Sequence, residues 1–366
     1  MKIALVHDFL TQLGGAEKVL EVLHEIYPEA PVYTLVYDDM ATNGVFKNWN
    51  IKTSYLQNLP FGIKKYKYYL LLMPSAIESF NLDDYDVVLT SSSAYAKGVV
   101  VKPNSLSICY CHTPTRYLWS DAHTYVQELG QGKLLKKFLP IPLNYLRMWD
   151  KLAAERVDKF IANSNYVAKR IKKYYGRESE IIFPPTDTEK FKISPELDKY
   201  FLVISRLRPY KKVELVMQAF YKLGIPLKII GVGSEKQDKE RVKRFIKPNI
   251  ELLGYVSEEE KIRYLSRCQA LVHPQEEDFG ITVIEAMASG RPVIAYKSGG
   301  ALETVIEGVT GKFFNEQTWE SLADTIIKFK SEDFDPLKIR EHSLKFSKEI
   351  FKNKIKNFIE KSWLSR

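Results

Sequence analysis

The apolar and polar positions of this chain follow two alternating periods. Short, nearly continuous apolar runs at residues 3–6, 31–36, 86–90, 106–111 and 159–162 are rich in β-branched and aromatic side chains and end in turn residues, which predicts buried strands. Between them, residues 16–26 and 166–175 carry apolar side chains at helical spacing. Strand and helix repeated in this way predict βαβ units, hence a parallel sheet with helices on both faces. Pro184-Pro185-Thr186-Asp187 and the charged stretch up to Tyr200 break the alternation and predict a linker. Beyond it the pattern resumes, with strands predicted over 201–205, 227–230, 250–253, 270–273 and 293–296. Ser257 and Glu260 open the helix predicted over 258–267 as a capping box.

The chain is therefore expected to form two Rossmann-like, doubly wound α/β domains, residues 1–184 and 185–345, with a helix over about 346–366 returning to the first. Ligands of such sheets sit outside the carboxyl ends of the strands, so the two domains are expected to face each other across a cleft lined by strand-to-helix loops.

A length of 366 residues, with 45% hydrophobic and 27% charged, exceeds what one core usually serves and excludes wholesale disorder. No apolar run approaches the roughly 20 residues of a membrane-spanning helix. The N-terminus enters a strand instead of a signal-peptide cleavage site. Of three cysteines, Cys109 and Cys111 share one strand face and Cys268 is odd, which fits a reducing cytoplasm. Formal charge is +9, and residues 133–177 hold twelve basic side chains against three acids, a net charge equal to that of the whole chain. With Lys64, Lys65 and Lys67 beside Tyr66, Tyr68 and Tyr69, this stretch is either an anionic-membrane surface or a set of solvated helix faces.

Candidate chemistry falls where the strand-to-helix loops are predicted. Gly14-Gly15-Ala16-Glu17 opens a helix after the first strand; adjacent glycines either let backbone amides approach a phosphate or sugar, or simply make the turn. Arg206 and Lys211 lie five residues apart between a strand and a helix, spaced to clamp a diphosphate or to line a solvated loop. Glu277 lies in a loop after a strand, and Glu285, eight residues on, lies in the next helix among Val283, Ile284, Ala286 and Met287. One carboxylate is placed to reach a sugar hydroxyl and the other a ribose diol, with the amides of Phe279, Gly280 and Ile281 completing an anion site. Gly231-Val232-Gly233 lacks the third glycine of the dinucleotide fingerprint, and residues 308–312 have the wrong spacing for a P-loop.

Taken in order across both domains, these residues resemble the retaining glycosyltransferases of family 4, which have the GT-B fold. Glu277 and Glu285 match the family's E-x7-E motif with Phe279-Gly280 in place, and Arg206 and Lys211 match its diphosphate-binding pair. Gly14-Gly15 matches the N-terminal glycine loop, and Ser298-Gly299-Gly300 with Glu303 matches the later glycine turn. Residues 111–119 and 276–280 are most similar to bacterial mannosyltransferases that build O-antigen or other polysaccharides from GDP-mannose.

The resemblance implies transfer of a hexose, mannose from GDP-mannose, to a growing lipid-linked glycan at the cytoplasmic membrane face. It implies retained configuration, and diphosphate neutralisation by Arg206 and Lys211 without metal or other cofactor. His112, after the strand over 106–111, is implied as a donor-sugar contact from the N-terminal domain. Tyr117 and Trp119 either stack on an acceptor sugar or belong to the core. Asp84-Tyr85-Asp86 matches the D-x-D pattern of metal-dependent transferases but reads as turn acids against a strand, and Cys109, Cys111 and His112 lack a second ligand pair for zinc. Two rival functions remain: a GT-B nucleotide-sugar epimerase, and a protein binding nucleic acid through its basic stretch, for which no recognition motif is present and no nucleic-acid partner is expected. A catalytically dead sugar-nucleotide binder is a third.

Overall fold

A computed structural model describes residues 1–123, 138–231, 233, 240, 242–243 and 245–366. The described chain forms two compact units, one built from 1–183 and 351–366 and the other from 184–350.

The first unit is a seven-stranded sheet in the order β3-β2-β1-β4-β5-β6-β7, every pairing parallel. Its strands are β1 (Ile3–His7), β2 (Val32–Thr34), β3 (Ile51–Thr53), β4 (Val87–Ser92), β5 (Leu106–Cys111), β6 (Lys159–Ala162) and β7 (Ser179–Ile181). In β1, Ile3 and Leu5 enter a core with Ile108, Val19 and Leu23, while Ala4 and Val6 enter a second core with Val88, Leu143 and Leu146. That division is the two-residue period of a strand buried on both faces. The covering helices include α1 (Gly15–Ile26), α2 (Pro140–Glu155) and α3 (Asn165–Tyr175). Ser164 caps α3 by accepting from the Val167 amide at 3.1 Å, and Gly176, at φ 69°, ends it in the left-handed conformation that glycine adopts at least cost.

The second unit is a six-stranded parallel sheet in the order β10-β9-β8-β11-β12-β13. It comprises β8 (Phe201–Ile204), β9 (Leu227–Ile230), β10 (Ile250–Gly254), β11 (Leu271–His273), β12 (Val293–Tyr296) and β13 (Gly311–Phe314). Among its helices are α4 (Val213–Leu223), α5 (Glu258–Arg267), α6 (Ile281–Ala288) and α7 (Pro336–Ser343). The capping box of α5 forms as its sequence predicts, Ser257 and Glu260 each accepting from the other's amide. The last helix, α8 (Lys348–Leu364), buries Phe351, Ile355 and Ile359 in the core of the first unit.

Three differences from the sequence expectation have plain physical reasons. Strands β3, β7 and β13 lie at sheet edges and span three or four residues, too short to show a period. The stretch after Pro184 is no free linker. Thr186 exchanges backbone hydrogen bonds with Phe346 and Lys348, Phe191 is buried, and the Arg340 guanidinium on α7 donates to the carbonyls of Thr188, Phe191 and Ala288. Glu189, Lys190, Lys192, Glu196 and Lys199 of that segment are exposed while Phe191 and Tyr200 are buried.

Part of the basic stretch is also spent on internal contacts, while Lys159, Lys169, Lys172 and Lys173 are exposed. Lys133, Lys136 and Lys137 lie outside the described residues. Arg147 donates to the Leu118 carbonyl at 2.6 Å, Arg156 to Glu78 at 2.6 Å and to the Gly98 carbonyl at 2.8 Å, and buried Arg170 to Ser120 at 2.6 Å. Arg177 donates to carbonyls at the end of α2. Guanidinium groups with five donors are used here to tie loops to helix ends.

Candidate functional site

In both sheets the strand order reverses beside the first strand, between β1 and β4 and between β8 and β11. Such switch points leave a crevice at the carboxyl ends of the strands, and the candidate residues of each unit lie there.

In the second unit, β8 runs into Arg206, a single 3-10 turn (Pro209–Lys211) and Lys212, whose φ of 54° makes the sharp entry into α4. Arg206 is exposed, whereas Lys211 donates to Oε1 of Glu277. Gln275 Nε2 donates to the same oxygen at 3.1 Å, and His273 Nε2 lies 3.9 Å from Oε2. Burial opposes ionisation of Glu277, but Lys211 and His273 outweigh it and hold the carboxyl down at about 2. Glu277 is therefore a fixed anion at neutral pH, held by the cation five residues after Arg206.

The loop carrying Glu277 is shaped by a second loop laid against it. Gly300 donates its amide to the Glu277 carbonyl at 2.8 Å. A Cβ on Gly299, at φ 61°, would lie 2.4 Å from that carbonyl, and one on Gly300 would lie 2.5 Å from Phe279 Cα. Only glycines permit this approach. Phe279 seats its buried ring edge-on against Phe346 at 5.6 Å, an anchor for the loop. Gly280, at φ 92°, is the N-cap of α6 and no side chain supplies the cap hydrogen bond, so the helix begins at Ile281 with its positive end beside the Glu277 loop.

Glu285, 3% exposed, sits in the fifth position of α6 and accepts from Lys261 Nζ of α5 at 3.1 Å. The structure thus gives this carboxylate an ammonium partner that sequence reasoning missed. His273 and Gln275 were missed as well. Both are about 2% exposed, and His273 Nε2 and Gln275 Oε1 have no hydrogen-bond partner among the described residues. Polar atoms left in that state beside a charged loop suit a ligand-binding surface. A histidine closing a strand was the one available signal.

In the first unit, β1 delivers His7 and Asp8 to the switch point. Asp8 accepts four backbone amides, from Ser93, Ala94, Tyr95 and Ala96, at 2.5–2.9 Å, and so fixes the turn after β4. Gly14 is the extended N-cap of α1 and Gly15 its first residue, which places the glycine pair at the positive end of that helix. His112 follows β5; its Nε2 lies 2.8 Å from Ser91 Oγ and its carbonyl accepts from Asn163 at 2.9 Å. Burial, helped by His7 and opposed by Glu17, pushes His112 down to about 3, so the ring is neutral.

The remaining candidates resolve into structure. Trp119 donates its indole N–H to Asp150 at 2.7 Å and stacks on Tyr174 at 5.1 Å, while Tyr117 donates to the Tyr95 hydroxyl at 2.7 Å. Both belong to the packing of α2 and α3, although each keeps a partly exposed edge. Asp86 accepts the Lys2 amide at 2.7 Å and precedes β4, at the end of the sheet opposite the switch point. Cys109 and Cys111 are buried thiols within β5.

Two family models match the chain. Residues 14–190 match "Glycosyltransferase Family 4" and residues 185–350 match "Glycosyl transferases group 1". An alpha-1,3/1,6-mannosyltransferase ALG2 of Dictyostelium discoideum is 27% identical over 294 residues, covering 67% of this chain and 67% of that protein. The mouse GDP-Man:Man(3)GlcNAc(2)-PP-Dol alpha-1,2-mannosyltransferase is 27% identical, over 88% of this chain and 78% of its own. An uncharacterized glycosyltransferase of Methanocaldococcus jannaschii is 25% identical over 96% of this chain and 94% of its own. Among solved structures, Thermosynechococcus elongatus sucrose-phosphate synthase superposes with a TM-score of 0.77 at 18% identity, covering 99% of this chain and all of the other. Anabaena HepE in complex with UDP gives 0.73 at 18% identity, again over 99% and 100%. The fold of these two units is that of GT-B glycosyltransferases.

Proposed function

Because the chain belongs to the family 4 glycosyltransferases, we propose that it transfers mannose from GDP-mannose, with retention and without a metal ion, to a growing lipid-linked glycan at the cytoplasmic face of a membrane. The observation that carries this reading is the ionised Glu277 held by Lys211 beside the N-terminus of α6, at the switch point of the second sheet. The donor sugar and base are supported by relatives whose names specify mannosyl transfer, one of them from GDP-Man to a PP-Dol glycan. An O-antigen or another polysaccharide is the product class.

In this mechanism Arg206, Lys211 and the first turn of α6 supply positive potential where charge develops on the leaving diphosphate. The Glu277 carboxylate accepts from sugar hydroxyls, Glu285 from the ribose diol, and the amides near Gly14, Gly15, Gly280 and Ile281 approach phosphate or sugar oxygens. His112 is read as a contact to the donor sugar. The acceptor hydroxyl attacks the anomeric carbon as the bond to the diphosphate breaks, and its proton passes to the departing phosphate oxygen on the same face. Positioning and electrostatics then account for the protein's contribution.

Contact with an anionic bilayer is part of the proposal. No described helix is long and apolar enough to cross a membrane. Helix α2 nevertheless exposes Ile141, Tyr145, Met148 and Leu152 at helical spacing, and Phe61, Tyr68 and Leu71 are exposed near Lys64, Lys65 and Lys67 in the same unit.

The test is a panel of sugar nucleotides incubated with lipid-linked acceptor in EDTA. GDP release from GDP-mannose, with an α-linked product, is expected. Preference for a UDP-sugar rejects the donor, and an epimerised nucleotide sugar formed without acceptor establishes the rival enzyme.

A further inference from the structure

Four polar side chains, from α1, β1, β4 and the residue just after β5, form a buried line in the first unit. Glu17 Oε1 lies 3.8 Å from His7 Nε2, His7 Nδ1 lies 3.1 Å from Ser91 Oγ, and Ser91 Oγ lies 2.8 Å from His112 Nε2. Glu17, His7 and Ser91 are at most 4% exposed. We propose that Glu17, through His7 and Ser91, is a positioning device that holds His112 as the neutral tautomer protonated on Nε2, leaving the lone pair on Nδ1.

The argument is one of proton count. Ser91 carries a single hydroxyl proton between two ring nitrogens, so with neutral rings it donates to one and accepts from the other. If it donated to His112, His7 would have to carry its proton on Nδ1 and turn the Nε2 lone pair toward a carboxylate 3.8 Å away. Glu17 breaks that symmetry. Burial works against its charge, but His7 and its own backbone amide in the first turn of α1 pull its pKa below the ordinary value, so the carboxylate is ionised at neutral pH. A buried negative charge favours the N–H bond of His7 on Nε2. His7 Nδ1 then accepts from Ser91, and Ser91 accepts from His112 Nε2–H. Tyr110, whose ring lies edge-on to His112 at 5.2 Å, adds packing and no charge.

For catalysis the consequence rests on reading His112 as a donor-sugar contact. A ring fixed in this tautomer meets the sugar with an acceptor, so it selects a hydroxyl that donates. Asn163 fixes the His112 main chain through its carbonyl, and Ser91 holds the ring at Nε2.

Histidine-selective 15N NMR of the full chain at pH 8 tests the tautomer without any substitution. His112, assigned through a His112→Gln control, is expected to show a pyrrole-type Nε2 and a pyridine-type Nδ1. The reverse pattern overturns the proposal. Replacing Glu17 by Met, or Ser91 by Ala, is expected to average the two nitrogens and to lower kcat/KM for the sugar nucleotide by roughly two- to tenfold. Affinity for the free nucleoside diphosphate should stay unchanged. If the Glu17→Met variant keeps the unaveraged pattern, Glu17 does not set it and the device is rejected. In a His112→Ala background the same two changes should have no further effect on transfer. Additive losses there, with the wild-type tautomer as expected, reject the sugar-contact reading of His112 and not the relay.

Discussion

At the scale of single residues, Glu277 shows how a motif becomes a charge. Spacing alone places it eight residues before Glu285, but its pKa of about 2 depends on Lys211 and His273 reaching it against the cost of burial. Glu277→Ala is expected to abolish transfer with the fold intact, since it removes charge-assisted hydrogen bonds of about 1.5–3 kcal/mol and the alignment they give. Turnover near the wild-type rate would reject the site. The pH dependence has a definite sign. Because the folded value lies below the ordinary 4.5, the ion pair stabilises the fold above that pH and its contribution is lost as pH falls toward about 2. Unfolding free energies of the wild type and Glu277→Gln should therefore differ by a constant amount between pH 7 and 5 and converge below about 4.5.

At the scale of elements, the loop that follows β5 is held by one buried acid. Asp150 on α2 is fully buried and accepts from Lys97 and Thr115 at 2.6 Å, Trp119 at 2.7 Å and Tyr175 at 2.9 Å. It joins α2, α3, the turn after β4 and the segment that begins at His112. Burial disfavours the charge on Lys97, and Asp150 more than restores it. Asp150→Ala should cost about 3–5 kcal/mol, because it strands a buried ammonium. Adding Lys97→Met should recover part of that loss in chemical denaturation. A double variant no more stable than the single one would show that the hydrogen bonds to Thr115, Trp119 and Tyr175 matter more than the charge.

On the scale of the whole molecule, the chain leaves its first unit after Phe183 and re-enters it at Phe351, so the second unit is an insertion within the sequence of the first. The proposed membrane contact belongs to that first unit. Its basic residues are partly spent on internal carbonyls, so docking is expected to combine the exposed apolar face of α2 with a few remaining lysines, each worth roughly 1 kcal/mol at an anionic surface. Cosedimentation with anionic liposomes should exceed that with neutral ones and weaken as salt rises. Replacing Ile141, Tyr145 and Met148 together by Ser should reduce binding even at low salt. Equal recovery with both lipids would mean that the face is not a membrane surface.

Much of this was legible without coordinates, because strand period, helix period, glycine loops and capping residues are local properties. The two parallel-sheet units, the capping box of α5, the placement of Gly14, Arg206, Lys211 and Glu277 in loops and helix starts, and that of Glu285 within a helix all follow from neighbours a few residues apart. Partners were not legible. Ser91 meets His7 across 84 residues only because β1 and β4 are adjacent in the sheet, and Lys261 meets Glu285 only because α5 lies beside α6. The same holds for the basic stretch, where Arg147, Arg170 and Arg177 turn to internal acceptors while Arg156, Lys159, Lys169, Lys172 and Lys173 stay exposed. Local sequence determined which chemistry is present and at which end of a strand. The tertiary fold decided which charges meet, because burial and pairing depend on contacts between segments far apart in the chain.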